Sequence, residues 1–519
     1  MTSNDAPHVF VVHGDLTQLA CDAIMIPTDA RLRVEEHWHG VVPEHAALAA
    51  RPELAAFRDQ TTYAHALPPH PLHEGDDHAP VRVLTAVPLH GYQSADVLRP
   101  RIRAFVEEAA RAIAGHREFV IGTGQPRAVP LVAMPLFSSR GGGGSMRRTS
   151  IIDMVLDEAR IAARANGVDV ALVVREDPDA ALAQQRRRSA AGDSWSAVEP
   201  RLVEVARHLA RYALANRIVP FMGAGVSMSA GAPGWRELLG KLADAIDLDA
   251  GTCDALLHGK LGELDQATYL ERRYADTERD FRGEVSRLVE RPRYGLAPAL
   301  LAATADEQAI TLNYDTLFER ASTAARRPRR VLAGGSRGDL TSPADTVSER
   351  WLLKLHGSAD EPSTIVLTRD DYLGFAADRS ALSAIVKANL LTRHLLFVGF
   401  GLADDHFHEI LHDVKRAVGT SSTAATALTL FDDPLNAALW GDSLTIVPML
   451  TEPASPDALP RAARTLELFL DALAAYSVDS ESYLLRDEYA DGLSDSELAV
   501  RDLLRELMRT TGHSYERKR

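Results

Sequence analysis

Four short segments of this 519-residue chain end in residues able to bind anions or move protons. Residues 218–227 read IVPFMGAGVS, an apolar run that passes into Gly223, Ala224 and Gly225 and then the hydroxyl of Ser227. Two glycines around a small residue let the main chain turn tightly and approach a pyrophosphate, while Ser227 can donate to a phosphate oxygen or cap the next helix. Such a turn alone fits a ligand-free strand-to-helix connection equally well. Residues 309–317 (AITLNYDTL) deliver Asn313 and Asp315 at the end of a second apolar run. Residues 351–358 (WLLKLHGS) end a third in His356 and Gly357, and residues 394–405 (HLLFVGFGLADD) close a fourth on Gly399 and Gly401. Ligands of open α/β sheets bind beyond the carboxyl ends of the strands, so a glycine turn, an amide, a carboxylate and an imidazole are expected at one edge. A neutral imidazole with a reference pKa of about 6.5 suits general-base work near neutral pH.

Two other patterns carry chemistry. His408-Glu409-Ile410-Leu411-His412 has the H-E-x-x-H spacing of zinc proteases, but Phe407, Ile410, Leu411 and Val414 form the apolar stripe of the same helix and leave the histidines at its flank. The expectation there is a helix flank, with no metal. In the first half, residues 131–145 place Gly141, Gly142, Gly143 and Gly144 after a strand and before a helix, which is again the geometry of an anion cradle.

The elements that must hold these residues alternate between strand and helix patterns, which predicts α/β layers. Strands are expected at 9–12, 23–26, 81–87, 131–137 and 168–174, with amphipathic helices at 102–113 and 151–165, the latter stopping at Asn166-Gly167. Residues 181–199 lack apolar periodicity and are expected to link a first domain (1–180) to a second (200–475). A C-terminal helical extension (476–519) carries an amphipathic helix, led by Ser494 and Glu497 at capping-box spacing, that is expected to pack on the second domain or on a partner chain.

In this order the motifs of the second half resemble the sirtuin (silent information regulator) fold, and more closely its bacterial defence-associated branch, over about 200–475. The resemblance implies a Rossmann-like parallel sheet with NAD as its substrate. Gly223, Ala224, Gly225 and Ser227 would then hold the phosphates, and the loop 231–236, with Trp235 and Arg236, would close over the dinucleotide. Asn313 and Asp315 would orient the ribose, a water and the nicotinamide, His356 would be the catalytic base, and Gly399 and Gly401 would lie near the adenosine. The chain departs from the deacylases of that family in two respects. Cys21 and Cys253 are its only cysteines, too few for their four-cysteine zinc module, and Gly234 stands where they carry an aspartate. With the NAD elements kept and the acyl-lysine elements in doubt, water is the nearest nucleophile. The expected activity is NAD+ hydrolysis to nicotinamide and ADP-ribose or a cyclic form, in antiphage defence by NAD depletion. A deacylase or ADP-ribosyltransferase is the second reading, and a non-catalytic nucleotide-binding module the third.

Residues 9–29 and 131–145 together resemble the macro domain, an ADP-ribose-binding α/β fold. That resemblance assigns Asp15 to an adenine and Gly141–Gly144 to phosphates, although the family's first glycine-rich loop is missing after Asp29. It implies a nucleotide signal of the ADP-ribose type acting on the second domain.

Composition bounds the remainder. A formal net charge of −15 argues against a sequence-independent grip on nucleic acid. No run approaches the roughly 20 apolar residues of a membrane span, and residues 1–7 show no secretory signal. A cytoplasmic homo-oligomer is expected.

Overall fold

The computed structural model describes residues 6–511 apart from 71–78, 89–93, 116–119, 122–124, 138–147, 305–306, 334–349, 402–407, 409–411, 413–415, 417–424, 442–443 and 479–480. Two largely parallel sheets form, one from each half of the chain. The first comprises β1 (Val9–His13), β2 (Ala23–Thr28), β3 (Ala64–Ala66), β4 (Val81–Ala86), β5 (Leu131–Pro135) and β6 (Asp169–Val174). Their spatial order is β1-β6-β5-β2-β4-β3, and only β3 runs antiparallel to its neighbour. The second comprises β7 (Ile218–Met222), β8 (Gln308–Thr311), β9 (Arg330–Ala333), β10 (Trp351–Lys354), β11 (His394–Val398), β12 (Ala425–Phe431) and β13 (Thr445–Leu450), in the order β9-β10-β8-β7-β11-β12-β13, all parallel. The expected α/β class and strands of the first half are therefore present.

Alternation along the strands sets the layers. Val9, Val11, Ala23 and Met25 face the helices α1 (Arg99–Ala114) and α2 (Arg148–Asn166) on one side of the first sheet. α2 ends at Gly167, in the left-handed conformation (φ 67°) that the Asn-Gly pair foretells. Phe10, Val12, Ile24 and Ile26 face the other way into a core shared with Met222, Leu396 and Val398 of the second sheet. The helices α3 (Pro200–Leu214), α4 (Leu296–Thr304) and α5 (Leu459–Ser477) fill that middle layer. The far face of the second sheet, with Val219, Phe221, Leu353 and Phe397, carries a separate core. Between β7 and β8 the chain forms a helical layer, from Trp235–Ala245 to Phe281–Val289, with its own apolar cluster.

Two expectations are corrected. Residues 181–199 do connect the two sheets, but a helix spans Asp177–Ser189 and buries Ala180, Ala181, Leu182 and Ala183. Its alanines are too small to print an apolar stripe, and its Arg187 is buried against Asp471 of α5. The C-terminal extension returns to the first sheet, where Tyr483, Leu484 and Tyr489 join the core with α1 and α2. Its last helix, Asp495–Thr511, is held through Glu497, which accepts from the Tyr483 hydroxyl at 2.7 Å, while Leu503 and Leu507 stay exposed.

Candidate functional site

Register brings the four motifs of the second half together. Lys354 pairs with Thr311, Thr311 with Met222, and Met222 with Val398, so the last residues of β10, β8, β7 and β11 form one row across the sheet. Gly223 and Gly399 lie one residue beyond that row, Asn313 and His356 two beyond. The order of strand addition also reverses here: β8 lies on one side of β7 and β11 on the other, which makes the carboxyl end of β7 the topological switch point of the sheet.

The two glycine turns pack on each other. A Cβ at Gly223 would meet the Gly399 carbonyl oxygen at 2.5 Å, and one at Gly225 would meet the Gly399 Cα at 2.7 Å. Gly399 itself has φ 61°, and a Cβ there would lie 2.4 Å from the Val226 nitrogen. The Gly225 N–H donates to the Gly399 oxygen at 2.9 Å. The absence of a side chain at Gly223 and Gly225 thus allows the contact between the β7 and β11 turns. Gly401 is different, with no atom of the described residues within 4 Å of where a Cβ would stand.

Three expected site residues form one hydrogen-bonded relay. The Asn313 Nδ2 donates to the Gly223 oxygen and to the Ser227 Oγ, each at 3.0 Å, and the Ser227 hydroxyl donates to the Asp315 Oδ2 at 2.7 Å. A main-chain carbonyl can only accept, so the amide nitrogen must face Gly223 and Oδ1 is left as the acceptor end. Asp315 is 6 % exposed, and its other oxygen accepts from the Leu317 N–H at 3.1 Å. The Ser227 proton expected to serve a phosphate is therefore directed at Asp315, and Asp315 orients the relay. His356 is 4 % exposed, with its ring edge-on to Tyr372 and Phe375 at centroid distances of 5.4 and 5.9 Å. The turn after it needs Gly357, which has φ 86° and whose Cβ would meet the Thr364 oxygen at 2.1 Å.

Lys354, not singled out in the sequence, braces this edge. Fully buried, it donates to the main-chain oxygens of Tyr314 (3.0 Å) and Asp315 (2.6 Å) and to the Glu319 carboxylate at 2.7 Å. Burial pushes the Glu319 carboxyl up, against the pull of Lys354. Burial, with the Asp315 charge behind it, does the same to Glu290, which receives the Thr316 N–H at 2.8 Å. A lysine inside the apolar run WLLKLHG was the available signal, since a buried lysine requires partners.

The remaining candidates lie apart from the relay. Trp235 packs against the helical cluster between β7 and β8, and Arg236 is exposed on the first turn of its helix. Asp15 has its carboxylate engaged by Thr17 and by Arg175 at 2.7 Å, while its main-chain N–H and oxygen both bond the Tyr294 hydroxyl at 3.0 Å. Gly141, Gly142, Gly143 and Gly144 lie outside the described residues, as does Glu409 of the H-E-x-x-H segment. His408 stacks on Trp440 at 4.8 Å. Among the described residues no group of three or more His, Cys, Asp or Glu is arranged for a metal, and no helix is long and apolar enough to cross a membrane.

A cleft of about 340 Å³ opens beside the glycine turns, bordered by Gly225, Gly399, Gly401, Leu428, Leu430 and Arg127.

The SIR2-like domain family matches residues 307–448, which hold Asn313, Asp315, His356, Gly399 and Gly401. The chain is 32% identical over 202 residues to the NAD(+) hydrolase ThsA of Enterococcus faecium, covering 38% of this chain and 39% of that protein. It is 26% identical over 204 residues to the ThsA of Bacillus cereus (38% and 40% covered), and 25% identical over 228 residues to Defense-associated sirtuin 2 of Bacillus subtilis (41% and 21%). The chain thus spans less than half the length of these curated relatives. Among solved structures, the Oceanobacillus iheyensis macrodomain with MES bound is similar at a TM-score of 0.24 and 15% identity, over 35% of this chain and 90% of that one. Residues 307–448 of this chain are similar to a SIR2-like domain.

Proposed function

We propose that the chain is an NAD+ hydrolase. The observation that carries this reading is the Asn313–Ser227–Asp315 relay at the switch point, with His356 leaving the adjacent strand at the same level. With the pyrophosphate against the turn at 223–227, the nicotinamide ribose reaches the ends of β8 and β10. Breaking the bond from C1′ to the nicotinamide nitrogen leaves an oxocarbenium-like cation, and nicotinamide departs with the electron pair. The Asn313 Oδ1 accepts a hydrogen bond from the attacking water, and His356 takes its proton. Asp315 works through Ser227 as a positioning residue. Trp235 and Arg236 close over the substrate only if their helix moves inward, since Arg236 is exposed.

The identity to ThsA proteins and to a defence-associated sirtuin supports a role in antiphage defence by NAD depletion. The reading also includes a division into a macro-like domain (1–180), a catalytic domain (200–475) and a C-terminal extension, an ADP-ribose-type signal at Asp15 and 141–144, and a cytoplasmic homo-oligomer. Incubating the purified chain with NAD, with and without ADP-ribose and its cyclic isomers, and following nicotinamide and ADP-ribose tests the activity. No nicotinamide under any of these conditions would remove it. Release that requires a protein acceptor would turn the reading to a deacylase or ADP-ribosyltransferase.

A further inference from the structure

The cleft beside the glycine turns lies on the opposite side of β7 from Asn313 and His356, along β11 and β12. A dinucleotide whose pyrophosphate rests at the turn and whose nicotinamide ribose meets Asn313 therefore extends its adenosine into this cleft. The outer wall of the cleft comes from the other half of the chain: Arg127, Ala128 and Val129 immediately precede β5 of the first sheet. We infer that the first half completes the dinucleotide site, walling its adenosine end and selecting a 2′-hydroxyl over a 2′-phosphate.

The charges of the wall carry the selectivity. Arg127 is paired with Glu467 through both of its terminal nitrogens, and both side chains are nearly buried, at 5 and 6 % exposure. Arg464, the other arginine lining the cleft, gives two hydrogen bonds of 2.7 Å to Asp169, whose side chain is fully buried. Among the described residues of the cleft each guanidinium is matched by a carboxylate, and the surfaces between them are mostly apolar, with Ala128, Val129, Leu428, Leu430 and Leu466 beside Ser229, Thr429 and Asn436. Such a slot suits a flat, uncharged base and ribose. A 2′-phosphate would enter with about two negative charges, meeting cations already neutralised and apolar walls, and burying it there is unfavourable.

This rests on the NAD reading, and the tests separate the two. Nicotinamide release by the full chain is measured with NAD and with NADP. The expected kcat/KM is at least tenfold higher for NAD. Ala128→Trp fills the cleft from an exposed position, so KM for NAD rises at least tenfold while kcat stays within twofold. Ala128→Lys, at the same exposed position, adds a cation to the wall and raises the use of NADP relative to NAD at least fivefold. NADP consumed as well as NAD by the unaltered chain, or both variants behaving as the unaltered chain does, overturns the inference and leaves the hydrolase standing. No nicotinamide from either dinucleotide removes the hydrolase, and this wall with it.

Discussion

The two sheets of this molecule share an architecture and use their carboxyl edges differently. In the second sheet, the residues beyond the strand ends form a relay in which Asn313, Ser227 and Asp315 bond one another and the Asn313 Oδ1 is left as an acceptor. In the first sheet, the residue at the matching place, Asp15, caps a turn, pairs with Arg175 and is clamped at the main chain by Tyr294. Both edges border a cleft, and they differ in what their polar groups bond: one another at the second edge, and a local turn, Arg175 and Tyr294 of the neighbouring half at the first. A residue at a strand end offers a ligand only the hydrogen-bonding capacity that the fold has not already used.

Variants at both edges test these arrangements. The largest effect is expected at the second edge: Asn313→Ala or His356→Ala lowers nicotinamide release by about 10²–10⁴-fold with the melting temperature retained. Near-normal turnover in either folded variant would refute the arrangement. Next is the contact between glycine turns. Gly399→Ala forces a left-handed residue against Val226 and costs about 2–5 kcal/mol in chemical denaturation, whereas Gly401→Ala, with no atom of the described residues within 4 Å of its Cβ, changes stability by less than about 0.5 kcal/mol. Equal effects would deny the turn-on-turn packing.

The amino ends of the strands offer a third contrast. His394 opens β11 stacked on Tyr212 at 4.4 Å and bonded to the Thr426 hydroxyl at 3.0 Å, and burial pushes its imidazole down to about 4. The unfolded chain takes up that proton near pH 6.5, so the neutral ring's contribution is complete above 6.5 and is lost as the pH falls toward 4. The loss amounts to about 3 kcal/mol, and His394→Gln removes that part of the pH dependence. His8, which leads into β1, is also held below its usual range by burial, but it faces the Asp471 carboxylate at 2.7 Å as well as Arg187. An unaltered acid limb in His394→Gln would contradict this reading. The smallest effect is at the first edge: Tyr294→Phe leaves the Asp15 N–H without its partner and costs about 1–2 kcal/mol in a denaturation series.

Much of the site was legible because its residues fall at the ends of apolar runs of strand length, and a parallel sheet collects such ends at one edge. Asn313, Asp315 and Ser227 were named from that pattern, and they touch. What they do to one another was not legible. The direction of the Ser227 proton depends on the 2.7 Å approach of Asp315, which comes from the lateral register of two strands 88 residues apart in the chain. Arg236 was read from a loop motif, yet its place on the first helical turn leaves it in solvent. The helix Asp177–Ser189 was missed because alanines and a buried arginine carry no apolar period.

The sequence alone determined the strands, the glycine turns and the absence of a four-cysteine zinc module, since these follow from local periodicity, backbone sterics and a count of ligands. Tertiary structure decided that Gly223 and Gly225 serve Gly399, that Lys354 braces Asp315, and that Arg127 of one half walls a cleft of the other. Those outcomes depend on how close distant segments come and on which buried charges find partners, which only the packed chain specifies.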